Sequence, residues 1–221
     1  MNFPTCVLSY SCGPGIITRY LAQYHVREVV GIDLTKGMID LAYKESQASN
    51  IRNCLWMIGD MTNLPFHDES FDGVVTRYTF HHLQHPIQAL TEMIRVTAKG
   101  GHIVVLDATP HIDKKDAYNH FERLRDPSHT TALYPLELLS LSSNCNSNIE
   151  LVSTQSSSLT LDAIGLINRA FPVEVNREEL LHLLRSDVGI NALDFNARYS
   201  NDVSSRLLVS FPQTIVVWKK L

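Results

Sequence analysis

The stretch Cys6-Val-Leu-Ser-Tyr-Ser-Cys-Gly-Pro-Gly15, followed by Ile16-Ile-Thr-Arg-Tyr-Leu-Ala22, constrains the fold more than any other. A short apolar run ends in Gly13-Pro14-Gly15 and passes directly into helical spacing, which reads as strand, tight turn and helix. Glycine at 13 and 15 lets the backbone turn sharply and puts no Cβ between it and a ligand. Pro14 suits the first turn of a helix, where its missing N–H has no intrahelical partner. A second apolar run, Val29-Val-Gly-Ile-Asp33, ends in a carboxylate. A glycine-rich turn after one strand and an acid at the tip of the next is how an open α/β sheet grips a ribose. The plainer alternative is a buried βαβ unit with an incidental turn.

The same alternation continues along the chain. Strand patterns at about residues 26–33, 54–60, 71–78 and 102–107 interleave with helical patterns at 15–24, 35–47 and 86–97. That order implies a parallel sheet with helices on both faces. After Asp107 the texture changes. Helical patterns fall at 113–125, 135–141, 159–170 and 177–185, and a strand at 149–153. Residues 142–148 and the serine-rich patch 153–158 read as loops, and residues 207–211 and 214–218 as extended apolar runs. The expected fold is α/β and Rossmann-like. Its sheet is seven-stranded and mostly parallel, and the last strand is antiparallel and at one edge. Residues 1–221 read as a single domain, with a cofactor half at about 1–108 and a substrate or cap half at 109–221.

Composition narrows the partners. A net charge of −4 leaves no basic stripe, so nucleic acid is not an expected partner. No apolar run reaches the length of about 18 residues that spans a bilayer, so no membrane span is expected. The opening Met-Asn-Phe-Pro-Thr is not a signal peptide. Cys6, Cys12, Cys54 and Cys145 form no CxxC pair, and two lie in apolar strand-like runs. A reduced, cytoplasmic protein is the expectation.

Several further segments coincide in order. Gly31-Ile-Asp-Leu-Thr-Lys-Gly-Met-Ile39, Gly59-Asp-Met-Thr-Asn-Leu-Pro-Phe66 and Ser70-Phe-Asp-Gly-Val-Val75 follow the first glycine turn. Tyr78-Thr-Phe-His-His82, Glu92-Met-Ile-Arg-Val96 and Lys99-Gly-Gly101 complete the series. Together with Val7–Gly15 they resemble class I S-adenosylmethionine (SAM)-dependent methyltransferases, over about residues 5–130. The subgroup they resemble includes the ubiquinone and menaquinone-biosynthesis C-methyltransferases. The family usually has an acid where Ser9 stands and a glycine where Ser11 stands. Relatives also usually carry a helical segment ahead of the first strand that closes over the cofactor. The expectation is either a truncated start or a more open pocket.

The resemblance implies SAM as cofactor, with S-adenosylhomocysteine as product. Asp33 is then placed to accept both ribose hydroxyls, a charge-assisted contact. Asp60 meets the adenine amino group, with Met61 beside it, and Leu34 and Met38 pack on adenine and ribose. Ser11 and Gly13 in the turn and Arg77 at the tip of the fourth strand complete the cofactor set. Ordinary helix-face packing is the alternative for Leu34 and Met38. Asp107 ends a strand further from the ribose, and its removal is expected to matter little for cofactor binding. Methyl transfer needs few catalytic side chains because positioning supplies much of the rate. His82 is the candidate general base, and a packing histidine is its alternative. No metal site is expected, since no cysteine or acid completes a set with His81, His82 and His85. His129, Tyr134 and Phe121 are candidates for the substrate side.

Three functions therefore stand against one another. The first is a SAM-dependent methyltransferase acting on a small molecule, with a homodimer as its possible assembly. The second is a non-catalytic, methyltransferase-like binding or scaffold protein, on the strength of Ser9, Ser11 and the early start. The third is a nicotinamide-dependent oxidoreductase, opposed by Pro14 and by Thr18 in place of the third glycine of the dinucleotide fingerprint.

Overall fold

The computed structural model of the protein describes residues 5–24, 26–145 and 148–221. Met1 to Pro4, at the start of the chain, lie outside these residues, as do 146–147 of the expected 142–148 loop. Eight strands form one sheet: β1 (Thr5–Tyr10), β2 (Val26–Asp33), β3 (Cys54–Ile58), β4 (Phe71–Arg77), β5 (Thr97–Ala108), β6 (Ile149–Asp162), β7 (Arg198–Tyr199) and β8 (Leu207–Lys220). Their order is β3-β2-β1-β4-β5-β8-β6, with the two-residue β7 paired to β8. The first five are parallel neighbours, and β8 runs antiparallel to both β5 and β6. The last strand is thus antiparallel, as expected, but it lies one place in from the edge, and β6 takes the edge.

Strand alternation sorts the two faces of the sheet. Leu8 and Tyr10 of β1, Val30 and Ile32 of β2, and Val216 and Trp218 of β8 are buried in one core. That core is closed by α3 (Pro86–Val96), through Leu90 and Met93, and by α5 (Pro135–Asn144), through Leu138 and Leu141. On the other face α1 (Ile16–Ala22) and α2 (Lys36–Ala48) pack beside β2 and β3. There the Trp56 indole lies flat against the backbone, so that a Cβ at Gly31 or Gly15 would collide with it. Trp56 also donates from Nε1 to Ser46 Oγ on α2 (3.3 Å).

The second half departs most from the sequence reading. β6 is a 14-residue strand that absorbs the Ser153–Ser158 patch and continues to Asp162, so the helical reading of 159–170 shrinks to α6 (Ala163–Asn168). The patch is polar because β6 is a solvent-exposed edge, and β8 supplies its ladder. The two apolar runs at the C-terminus are one strand joined through Pro212. The Pro212 carbonyl accepts from Thr109 N (2.9 Å) just beyond the end of β5, so its missing N–H faces a side where the ladder has stopped. α5 extends to Asn144 and takes the first residues of the expected 142–148 loop. Beyond β5, the antiparallel β6–β8 pair carries a second core with α4 (Lys115–Arg125), α6 and α7 (Arg177–Ser186). Phe195 is its centre, in contact with the rings of Tyr118, Phe121 and Phe211.

The Glu92-Met-Ile-Arg95 segment has a physical role in this frame. Arg95 donates to both oxygens of Glu92 (2.8 Å each) and to the carbonyls of Leu64 and Phe66. Glu92 in turn accepts from Leu64 N (2.8 Å), so the pair fastens the loop after β3 to α3. Hydrogen bonding from Arg95 holds the Glu92 carboxyl below its ordinary range, against the opposing effect of burial. A depressed carboxylate pKa stabilises the fold above the unfolded-state value and loses that contribution as pH falls through the folded value. Glu92→Ala should lower stability by on the order of 2 kcal/mol, or roughly 4–8 °C in Tm. Thermal melts at pH 7 and in the acid range check this: the gap between variant and wild type should narrow on acidification.

Candidate active site

The turn after β1 is held by the acid at the end of β2. Asp33 Oδ2 accepts from Gly13 N (2.8 Å) and Oδ1 from Thr35 N (2.9 Å), and the side chain is buried. Ser11, Gly13 and Gly15 all adopt left-handed backbone, with φ of 51°, 52° and 74°. For Gly13 a Cβ would meet no protein atom, so its absence leaves open space in the cleft beside it. Gly15 serves packing instead, since Trp56 fills the place of its Cβ. Ser11 occupies a conformation that costs an L-residue roughly 1–2 kcal/mol.

A cleft of about 540 Å³ opens over this turn, within the roughly 300–1,000 Å³ range of small-molecule and cofactor sites. Of the cofactor candidates, Ser11, Gly13, Asp33, Met38 and Arg77 line it, as does His82. Leu34, Asp60 and Met61 stand outside that lining. Leu34 is 64% exposed. Asp60 is exposed and uses Oδ1 to cap its own turn, accepting from Thr62 N and Oγ1 (2.8 Å each), which holds its carboxyl below its ordinary range. The Met61 side chain turns into the sheet core, and its carbonyl accepts from Tyr10 Oη (2.6 Å).

The N–H groups of Cys12, Gly13 and Gly15 in the turn are all taken. Cys12 N donates to Ile32 O (2.9 Å), Gly13 N to Asp33 and Gly15 N to Cys12 O (2.9 Å), while Pro14 has no N–H. A dinucleotide site needs such groups free to face its pyrophosphate. The arrangement fits a ligand with a ribose and no phosphate, which is what SAM presents.

A second, smaller cavity of about 250 Å³ shares Tyr78 and His82 with the cleft. The dividing wall is held by Asp107 at the end of β5. Its carboxylate is buried and accepts from Thr79 N (3.0 Å), Phe80 N (2.6 Å), Ala108 N (2.7 Å) and His81 Nδ1 (2.5 Å). Burial pushes this carboxyl up, but His81 and the backbone donors outweigh it and hold it below the ordinary range. The same pairing keeps His81 above its ordinary value in spite of burial. Asp107, expected to matter little to the cofactor, is the anchor of the segment that carries Tyr78, His81 and His82.

His82 itself is held from the turn after α4. Its Nδ1 lies 3.1 Å from both the carbonyl and the Oγ of Ser128, and Ser128 Oγ donates to Asp126 Oδ1 (2.6 Å). With Nδ1–H donating to Ser128, Nε2 is the unprotonated nitrogen. Burial, then the neighbouring His81, pushes the His82 pKa down. His82 is therefore neutral at pH 7 and in the form a general base requires. Tyr78, in left-handed backbone (φ 55°), hydrogen-bonds to Gln213, and the Arg77 guanidinium lies 4.5 Å over its ring.

The substrate-side candidates fall elsewhere. His129 is buried with its Nε2 2.6 Å from Asn119 Oδ1, Phe121 lies in the second core, and Tyr134 faces a separate surface hollow. Burial lowers the His129 pKa to about 3. Sequence reading missed Phe171, 75% exposed at the cleft rim, and Tyr118 in the smaller cavity. An aromatic before Pro172 in a break between helices was the available signal for Phe171. Among the described residues, no group of three or more His, Cys, Asp or Glu could hold a metal.

This topology, with the antiparallel strand inserted next to the edge and a cleft at the first glycine turn, defines the class I methyltransferase fold. Residues 8–105 match the family described as Methyltransferase domain. The uncharacterized methyltransferase YcgJ of Bacillus subtilis is 35% identical over 125 residues, which cover 56% of this chain and 49% of that protein. The demethylmenaquinone methyltransferase of Thermotoga maritima is 30% identical over 114 residues, covering 51% of this chain and 47% of the relative. The crystal structure of Bacillus subtilis YcgJ superposes with a TM-score of 0.83 at 24% identity, over 98% of this chain and 92% of that one, a likeness of fold. Residues 8–105 are thus similar to methyltransferase domains, and the chain as a whole shares the fold of YcgJ. Its match spans about half the length of these two curated relatives.

Two substitutions probe the walls. Ser11→Gly relieves left-handed strain, partly offset by the freer unfolded chain, and should raise stability by up to about 1 kcal/mol, or roughly 2–4 °C in Tm. Asp107→Ala leaves three N–H groups and His81 without their acceptor and should lower stability by on the order of 3–5 kcal/mol. Urea midpoints measure both changes. A neutral Asp107→Ala would show that the wall stands without its anchor.

Proposed function

We propose that this protein transfers a methyl group from SAM to a small-molecule acceptor, mainly by positioning. The observation that carries the reading is the abutment of two cavities at Tyr78 and His82, one floored by the Asp33-tethered turn and one largely apolar. When bound, SAM supplies a methyl group already activated on a sulfonium. Asp33 receives the ribose hydroxyls on the lone pairs that Gly13 and Thr35 leave open. Met38 covers the sugar, with Leu34 beside it, and Arg77 faces the ligand's carboxylate. Asp60, whose Oδ2 carries no hydrogen bond among the described residues, takes the adenine amino group at the mouth beside Met61. His82 Nε2 removes the acceptor's proton while Ser128 and Asp126 fix the ring.

The chain works as one domain in this reading, with a cofactor half at about 1–108 and a cap half at 109–221 that encloses the acceptor. No described helix is long and apolar enough to cross a membrane, and the described cysteines are all free, which supports a cytoplasmic setting. The partners are a small molecule and, as the assembly to test, a second copy, with no nucleic acid. The family resemblance of the quinone-pathway relative supports an apolar ring acceptor.

Calorimetric titration with S-adenosylhomocysteine should show binding, and Asp33→Ala should weaken it by about ten- to a hundred-fold. Absence of binding to the wild type would favour the non-catalytic reading that Ser9 and Ser11 motivate. His82→Ala should lower turnover by about a hundred-fold or more with cofactor affinity unchanged. The wild-type rate should fall as pH drops through the His82 pKa, which lies below the ordinary 6.5, and the variant should lack that limb. Wild-type turnover and pH profile in His82→Ala would leave catalysis to positioning alone.

A further inference from the structure

The outer edge of the sheet is a long strand with one side unused. Among the described residues β6 pairs only with β8, so its other side carries a row of backbone N–H and C=O groups with no strand to bond. Folded proteins guard such edges with lysine, proline, bulges or very short strands. Between Ser153 and Leu161 this one has no charge, no proline and no glycine, and its one register shift lies before Ser153. The nearest acids, Glu150 and Asp162, fall outside that segment. Ser153 to Ser158 are exposed without a break, and so is Thr160.

The segment reads nearly the same from both ends. Taken about Ser157, Ser156 matches Ser158 and Thr154 matches Thr160. Two identical strands, antiparallel about a two-fold axis at Ser157, set these residues directly opposite one another on one face of the sheet. Opposed serine and threonine hydroxyls hydrogen-bond across a strand pair. The same face already holds such contacts within the chain: Thr109 with Thr214 (2.7 Å), Thr214 with Ser156 (3.1 Å) and Ser210 with Thr160 (2.8 Å). A row of hydroxyls thus runs from the end of β5 through β8 to the free edge.

We propose that two copies of this chain join through β6, antiparallel about a two-fold axis at Ser157, so that one sheet runs through both. The self-match of Ser153–Leu161 selects a second copy over an unrelated peptide. A hollow of about 420 Å³ opens beside Ser156 and Ser157, and Ile112 and Leu136 on its rim are more than half exposed. The two-fold axis brings both hollows to the same side of the joined sheet, where their apolar rims add to the contact. About nine paired residues a side is less than half of a standard interface, so the dimer forms at micromolar concentrations. The axis is also coupled to the site. Gln213 Nε2 donates to Ser157 Oγ (3.0 Å), and Gln213 accepts from Tyr78 Oη, so Ser157 stands two hydrogen bonds from the wall shared by the two cavities. Leu159 and Leu161 line the smaller cavity, and the partner strand supports them from outside.

Sedimentation velocity on the whole chain at about 100 µM should show twice the 24.9 kDa of one copy, falling to one copy on dilution. Ser157→Lys sets like charges against each other at the axis and should weaken the dimer by about ten-fold or more, with circular dichroism unchanged. Ser49→Lys, at the C-terminal cap of α2, should leave the dimer intact. Oxidative cross-linking with copper phenanthroline reads the register. Ser157→Cys opposes its own copy and should give a disulfide-linked dimer above the wild-type background of free cysteines. Gln155→Cys, offset from its copy by about 13 Å along the strand, should not. The cross-linking result stands whether or not the lysine variant folds. A wild type that stays monomeric would overturn the proposal and leave the edge to an extended segment of another protein. A dimer that Ser157→Lys leaves intact, or cross-linking through Gln155→Cys in preference to Ser157→Cys, would place the contact elsewhere and overturn it equally.

Discussion

The hydrogen bonds that converge on the buried Asp107 carboxylate are the contact on which the rest of the site depends. A charge without water is tolerated only when it is fully paired, and here four donors surround it. Two of them, Thr79 N and Phe80 N, together with the His81 ring tie the end of β5 to the segment after β4, and Ala108 N closes the set from β5 itself. That segment is the wall common to both cavities. Asp33 plays a parallel role on β2, where its oxygens fix the glycine turn from beneath. Two strand-end carboxylates thus set the geometry from which the cleft and the smaller cavity are built.

The second core exists because β6 and β8 outrun β5. Past Ala108 the β6–β8 pair extends beyond β5, with the two-residue β7 beside β8, and its apolar residues Leu207, Val209 and Phe211 require cover. The helices α4, α6 and α7 provide it around Phe195. The same packing places Leu159, Leu161 and Leu166 over the tip of β4, so the second core and the apolar cavity come from one construction. Phe171, whose N–H donates to Arg125 O (3.1 Å), brings the loop after α6 to the rim of the cleft.

The parts legible in the sequence were the local ones. Gly13, Pro14 and Asp33 lie within one strand–turn–helix–strand unit, and short-range rules suffice for them. Helices with a clear apolar stripe, such as Pro86–Val96, were equally plain. The serine patch misled because an edge strand borrows its hydrogen bonds from a partner 50 or more residues away. Pro212 misled for a related reason, since only the end of β5 makes it tolerable. Whether Met61 faces the core or the cleft is set by a loop with no period, so spacing could not decide it. Tyr118, Leu161 and Phe211 meet only through the long-range pairing of β6 with β8, and no local pattern joins them.

The central claim is that the cleft over the Asp33-tethered turn seats the cofactor and that its reacting end meets the Tyr78–His82 wall. A crystal structure with S-adenosylhomocysteine tests it directly. The account predicts both ribose hydroxyls within hydrogen-bond distance of Asp33 and the sulfur facing that wall. A ligand bound anywhere else, or bound there with its sulfur turned away from Tyr78 and His82, would contradict it.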